Sequence, residues 1–134
     1  MQTLSEIKTE VDRLAGIIGA PENILPTYGW CDGSARPHIE LDDRGYHYVV
    51  SERGQELKRI TTWNLDTLLA HIFDSVSFGM AAKYELHHRI QGQDSRRLLW
   101  KRQLELLLVL SPEWAAVRKS EIEDILLKHP YNDN

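Results

Sequence analysis

The sequence predicts an α+β domain: an N-terminal helix, a three- to four-stranded antiparallel meander, then three or four C-terminal helices packed on one sheet face. Three observations carry this prediction. Apolar residues recur three or four positions apart from Leu4 to Ile18 and again from Leu65 onward, the period of helices with one buried face. Residues 28–62 between them are rich in aromatic and β-branched residues and are punctuated by two similar glycine turns. One sheet with helices segregated before and after it is the α+β arrangement. The expected organisation is one domain over 1–134, with a helix in 1–20, the sheet in 28–62 and the helical part in 64–130.

The first helix is expected from about Ser5 to Gly19. Thr3 and Glu6 have capping-box spacing, Leu4, Ile7, Val11, Leu14 and Ile18 form one stripe, and Gly19 and Pro21 stop it. Strands follow at His38–Asp42, Tyr46–Ser51 and Glu56–Thr62. Gly45 and Gly54 sit where tight hairpins need φ > 0. Alternation fails between Leu57 and Ile60, which predicts a bulge or an early end. Tyr28-Gly29-Trp30 is a candidate fourth strand. Asn64 caps a long helix whose stripe is Leu65, Leu69, Ile72, Phe73, Val76, Met80 and Tyr84. Gly92 ends it, and Asp94 caps the next, Ser95–Leu110, whose second half is apolar nearly all round and belongs in the centre of a core. Ser111-Pro112 starts the last helix. Ser120 and Glu123 could restart it near Lys119, and His129-Pro130 ends it.

At 134 residues and 42% apolar content, the chain can bury a core without staples. Its start lacks the apolar run of a signal peptide. The most apolar stretch, Leu104–Leu110, contains Glu105 and is far short of the roughly 20 residues of a membrane span. A single cysteine, Cys31, excludes an internal disulfide and fits the reducing cytoplasm. A net charge of −4 argues against a nucleic-acid partner, which rewards a basic surplus, and favours a basic protein partner.

No constellation commits the chain to chemistry. His71, Asp74, Glu85 and His88 share one side of the long helix, and Glu85-x-x-His88 has di-iron spacing. Asp74 and Glu85 nonetheless lie roughly 16 Å apart along the axis, too far to share a metal. A solvated helix face accounts for them, and His87 falls on the apolar stripe as an interior histidine. Cys31 would need a base, for which His38 and His47 are candidates. Arg96, Arg97, Lys101 and Arg102 surround Trp100, a faint single-strand-binding pattern that local pairing with Asp94 and Glu105 explains better. We therefore expect no catalytic residue, metal or cofactor. The hairpins are the most informative region: Glu40, Asp42, Asp43, Glu52 and Glu56 lie on or beside strands carrying Tyr46, His47 and Tyr48. Carboxylates and tyrosines on a sheet face suit a protein contact, and an ordinary solvated face would look the same.

The run Arg36-Pro37-His38-Ile39-Glu40, then Gly45 through Gly54, resembles a family of bacterial immunity proteins, the sixty-third numbered immunity family of polymorphic toxin systems. His88-Arg89-Ile90, Asp94 through Arg96-Arg97, and His129-Pro130 continue the likeness, which spans about Tyr28 to Asp133. The first helix and Cys31 add nothing to it. The resemblance implies a cytoplasmic, non-catalytic protein that binds and neutralises a cognate toxin domain. The polar residues it shares (Arg36, Glu40, His47, Glu52, Arg53, Arg89, Asp94, Arg96, Arg97) are expected as a buried structural network or as the binding surface; taken with the hairpin pattern, we expect Arg36, His47, Arg53, Arg89, Asp94, Arg96 and Arg97 in the network and Glu40, Asp42, Asp43, Tyr46, Tyr48, Glu52 and Glu56 at the partner surface. The rival readings are a small adaptor domain, a hydrolase using Cys31 or a metal at the helix histidines, and a nucleic-acid binder through Arg96–Arg102. Oligomeric state is not legible.

Overall fold

The computed structural model describes residues 1–134. Its elements are α1 Leu4–Ile18, a 3-10 turn Glu22–Ile24, β1 Thr27–Tyr28, β2 His38–Asp42, β3 Gly45–Glu52, β4 Gln55–Thr62, α2 Leu65–His87, α3 Ser95–Leu110 and α4 Pro112–Lys128. This is an α+β order with three helices after the sheet. Two compact units divide the chain, Met1–Phe73 and Asp74–Asn134, with the boundary inside α2. No helix is long and apolar enough to cross a membrane.

In the first unit the capping box forms as expected: Thr3 Oγ1 accepts from the Glu6 amide and Glu6 accepts from the Thr3 amide. Gly19 ends α1 in the left-handed region at φ 70°. Ile7, Val11, Leu14 and Ala15 are its buried residues. The sheet order is β1-β2-β3-β4. β2, β3 and β4 form the antiparallel meander, and the fourth strand joins parallel to β2, with Thr27 opposite His38.

Both glycine turns are required by geometry. Gly45 has φ 122°, and a Cβ there would lie 2.7 Å from the Thr62 carbonyl oxygen. Arg53 (φ 52°) and Gly54 (φ 78°) lie between the paired Glu52 and Gln55, a two-residue turn with both central residues at positive φ. The irregularity expected near Leu57 is a bulge. Val50 faces Lys58 and Ser51 faces Glu56, so Leu57 is the extra residue. β4 is a sheet edge exposed along most of its length, and this bulge with Lys58 and Arg59 guards it against pairing.

By register, Ile39, Tyr46, Tyr48 and Ile60 share one sheet face. The Tyr46 hydroxyl accepts from the Gln2 amide at 2.7 Å, and the Tyr48 ring lies 6.3 Å from His71. Asn64 caps α2 through the Thr67 amide.

In the second unit Gln103 is fully buried and joins three helices. Its amide nitrogen donates to the Asp74 carbonyl (3.1 Å) and Ser77 Oγ (3.3 Å), and its Oε1 accepts from Arg118 Nε (3.1 Å). Three sequence expectations are corrected here. Helix α4 runs unbroken through Lys119, because Ser111 caps it from outside and the Ser120–Glu123 pair falls in its interior. Leu108 and Val109, at 59% and 63% exposure, lie outside the core. On α2, Glu85 is buried and His87 exposed, the reverse of the expected faces. The buried line there is Ser77, Ala81, Glu85 at i, i+4 spacing, carried by small and polar residues that counting apolar types does not find.

Candidate partner-binding surface

The second sheet face is polar. Register places His38, Glu40, Asp42, His47, Val49, Arg59 and Thr61 on it. Glu40 accepts from His38 Nε2 (2.8 Å) and from Arg59 Nη1 (3.2 Å), and Arg59 reaches on to Glu56 at 2.8 Å. Beside this chain, His47 bridges Asp42 Oδ1 (2.7 Å) and Thr61 Oγ1 (2.8 Å). The histidines are buried, whereas the side chains of Glu40, Asp42 and Glu56 are 38%, 50% and 45% exposed. The buried imidazoles thus hold exposed carboxylates in fixed positions at the surface.

These contacts keep the acids ionised. The hydrogen bond from His38 holds Glu40 below the usual carboxylate range against the opposing effect of burial, with Arg59 helping. His47 does the same for Asp42, aided by the Arg44 amide, and Arg59 for Glu56. Asp43 and Glu52 are exposed at the two turns.

Tyr46 and Tyr48, expected among the contact residues, are 2% and 3% exposed. Their strand is covered on both faces, so the tyrosines belong to the core and the exposed candidates reduce to Glu40, Asp42, Asp43, Glu52 and Glu56. Arg59, which links two of those acids, was not singled out from sequence. Its role depends on a cross-strand position 19 residues from Glu40.

The other expected polar residues fall into separate local sets. Arg36 donates to the Leu25 (2.7 Å) and Glu22 (3.1 Å) carbonyls and so fixes the 3-10 turn. Arg53 contributes its positive φ, and its backbone N–H donates a hydrogen bond to the Gly33 carbonyl (3.2 Å). Arg89 pairs with the buried Glu85 at 2.8 Å.

Asp94, Arg96 and Arg97 do come together, at a clasp closed by the last residues. Asp94 caps α3 through the Arg96 amide and also accepts from the Asn132 amide (2.9 Å) and the Arg96 guanidinium (2.9 Å). Arg96 ends on the His129 and Pro130 carbonyls at 2.9 and 2.8 Å. Arg97 pairs with Asp133 at 2.9 Å and lies 4.0 Å from the Tyr131 ring centroid. Arg96, followed by the Asn132 and Arg96 amides, holds the Asp94 carboxyl far below its usual range. Arg96, Arg97 and Arg102 are thereby engaged locally, although Glu105, expected to pair with Lys101, lies 3.8 Å from Arg102 instead, and Arg97 takes Asp133.

Cys31 is exposed, and its Sγ faces the Gly33 amide and the Ser51 carbonyl. Both His47 nitrogens are occupied, His38 Nε2 is held by Glu40 and His38 Nδ1 is buried without a hydrogen-bond partner, so neither histidine is hydrogen-bonded to the thiol.

One feature was missed from sequence. Lys8, Asp12, Glu22, Leu25, Pro26, Thr27, Tyr28, Trp30 and Arg36 line a cleft of about 390 Å³ beside α1. Its residues come from α1, the 3-10 turn, β1 and the following loop, and no periodicity links them.

Residues 42–124 match the model of a family described as Immunity protein 63. No curated protein and no solved structure matches the chain.

Proposed function

Because the chain belongs to the Immunity protein 63 family, whose match covers most of it, we propose that it binds and neutralises a cognate bacterial toxin domain, with no catalytic chemistry of its own. Family membership is the observation that carries this reading. The hairpin face supports it physically. Its carboxylates are exposed, held below the usual carboxylate range at Glu40, Asp42 and Glu56, and joined by the exposed acids Asp43 and Glu52. These acids are interleaved with the exposed cations Arg44, Arg53, Lys58 and Arg59, so the region is only slightly negative and would recognise a basic partner through individually placed carboxylates. Neutralisation would follow from covering the toxin's active site or its substrate surface.

Co-expression with the C-terminal domain encoded by the gene immediately upstream tests the function. Cell survival and a one-to-one complex are expected; death without a complex would sink it. The surface is tested by replacing Asp42, Asp43 and Glu52 together with Asn, Asn and Gln. Association with the toxin domain should slow about tenfold at low salt and lose much of its salt dependence. An unchanged association rate would move the contact away from the hairpins.

A further inference from the structure

Trp63 closes the hairpin face at one end, and its place there is set by a glycine. Asp42 pairs with Gly45 and Tyr46 with Thr62. Continuing that register by one residue puts Asp42, Gly45 and Trp63 in one row across β2, β3 and the end of β4, on the polar face. Neighbouring strands lie about 4.8 Å apart, so an indole on the outer strand can reach over the middle one if no side chain stands there. Gly45 leaves that space. A Cβ on it would lie 3.3 Å from Trp63 Cδ2, so the ring lies against the glycine backbone. Elsewhere the ring is open, and 60% of Trp63 is exposed. The chain on either side is fixed as well: the Thr62 hydroxyl accepts from the Asn64 amide (3.1 Å), and Asn64 caps α2. An aromatic ring already held in the free protein needs little further ordering on binding, and tryptophan is enriched at the energetic centres of protein interfaces.

The acids of this row and its turn keep free acceptors. Both hydrogen bonds to Asp42, from His47 Nε2 (2.7 Å) and the Arg44 amide (2.8 Å), fall on Oδ1 and leave Oδ2 open. Asp43 is exposed, with no hydrogen bond or ion pair to its carboxylate. Arg44 is the one cation of the turn. It is exposed, forms no ion pair, and its charge helps to keep Asp42 ionised. Row and turn together therefore carry two carboxylates against one guanidinium, a net charge of −1. A flat cation suits this arrangement. A guanidinium can stack on the open indole while its N–H groups donate to Asp42 Oδ2 and to Asp43. A carboxylate could reach only Arg44 and would lie beside two like charges, and an aliphatic side chain would leave both acids without a donor.

We infer that Trp63, Asp42 and Asp43 form a seat for one arginine side chain of the toxin domain, with Trp63 as the anchor of the interface. The inference rests on the toxin-binding reading of the preceding section and names the contact at its centre. Gly45 acquires a role in it beyond its turn: it keeps the indole flat on the sheet, one strand away from the carboxylate that shares the guanidinium.

The test uses the full chain and the upstream-encoded toxin domain. Binding is measured for the unmodified protein, Trp63→Leu, Trp63→Phe and Asp43→Asn. Leucine still covers Gly45 but offers no π face, so Trp63→Leu should weaken binding by about 30-fold or more, chiefly through faster dissociation. Trp63→Phe keeps a smaller ring over the glycine and should weaken binding by about three- to tenfold, as should Asp43→Asn. Melting temperature separates a lost anchor from a lost fold: Trp63→Phe and Asp43→Asn should melt within about 2 °C of the unmodified protein. A double-mutant cycle of Trp63→Leu against alanine replacements of the toxin's surface residues should find one strongly coupled arginine. If the unmodified protein does not bind the toxin, the parent reading fails and the seat with it. If it binds and all three variants bind within twofold of it, the seat alone is refuted and Trp63 serves only to cover Gly45. Strong coupling of Trp63 to a toxin residue other than arginine would refute the guanidinium occupant.

Discussion

The hairpin face and the C-terminal clasp are made from the same residue types, carboxylates beside arginines. They differ in where the arginines end. Arg96 passes from Asp94 to two backbone carbonyls, and Arg97 lies against Tyr131 while holding Asp133. Each charge in the clasp thus fastens a segment of chain. On the hairpin face, Arg59 links Glu40 to Glu56 and ends there, with more than a third of each side chain open to water. A charge tied to backbone orders the fold; a charge tied to other surface charges shapes a potential. Residue type does not distinguish the two roles, and the second partner does.

Asp94→Ala should break this comparison most visibly. It removes the α3 cap, the Asn132 contact and the partner of Arg96 together, and should lower the melting temperature by about 5 °C or more. No hairpin substitution should match it in thermal unfolding followed by circular dichroism. The same carboxylate gives a pH signature. Its folded pKa is depressed, so its contribution is present above the unfolded value of about 4 and is lost as pH falls below it. Melting temperature should fall on that acid limb in the unmodified protein, and Asp94→Asn should flatten the fall. Equal slopes would mean that Asp94 is not held as described.

Tyr131→Ala should give an intermediate loss, about 2–4 °C, by removing the ring beside Arg97 and Trp100 while leaving the ion pairs. A loss as large as that of Asp94→Ala would place the strength of the clasp in the ring rather than in the carboxylate.

The sequence was legible wherever a feature depends on neighbours in the chain. The Thr3–Glu6 box, the Asn64, Asp94 and Ser111 caps, both glycine turns and the bulge at Leu57 are local, and all are present. Legibility failed where burial is decided by distant packing. Alternation found the strand bearing Tyr46 and Tyr48, but not that both of its faces are covered. Ser77 and Glu85 form part of a buried line because of what packs there, not because of their polarity. The candidate site was half readable. The hairpin acids announce themselves by density, whereas the cleft around Trp30 exists only once α1 and Arg36 meet the turn at Glu22.

The smallest effect on stability should come from Arg59→Ala, and it separates the two regions by sign. Loss of an arginine that is 36% exposed should cost less than about 1 kcal/mol, because surface ion pairs give little net stabilisation in water. Its removal leaves Glu40 and Glu56 without their shared cation and makes the hairpin face more negative. If that face steers a basic toxin, association should become about two- to threefold faster at low salt and converge with the unmodified protein at high salt. Stopped-flow association across a salt series reads this directly. A slower association would mean that Arg59 itself touches the toxin, and the contact on the hairpin face would then include this cation.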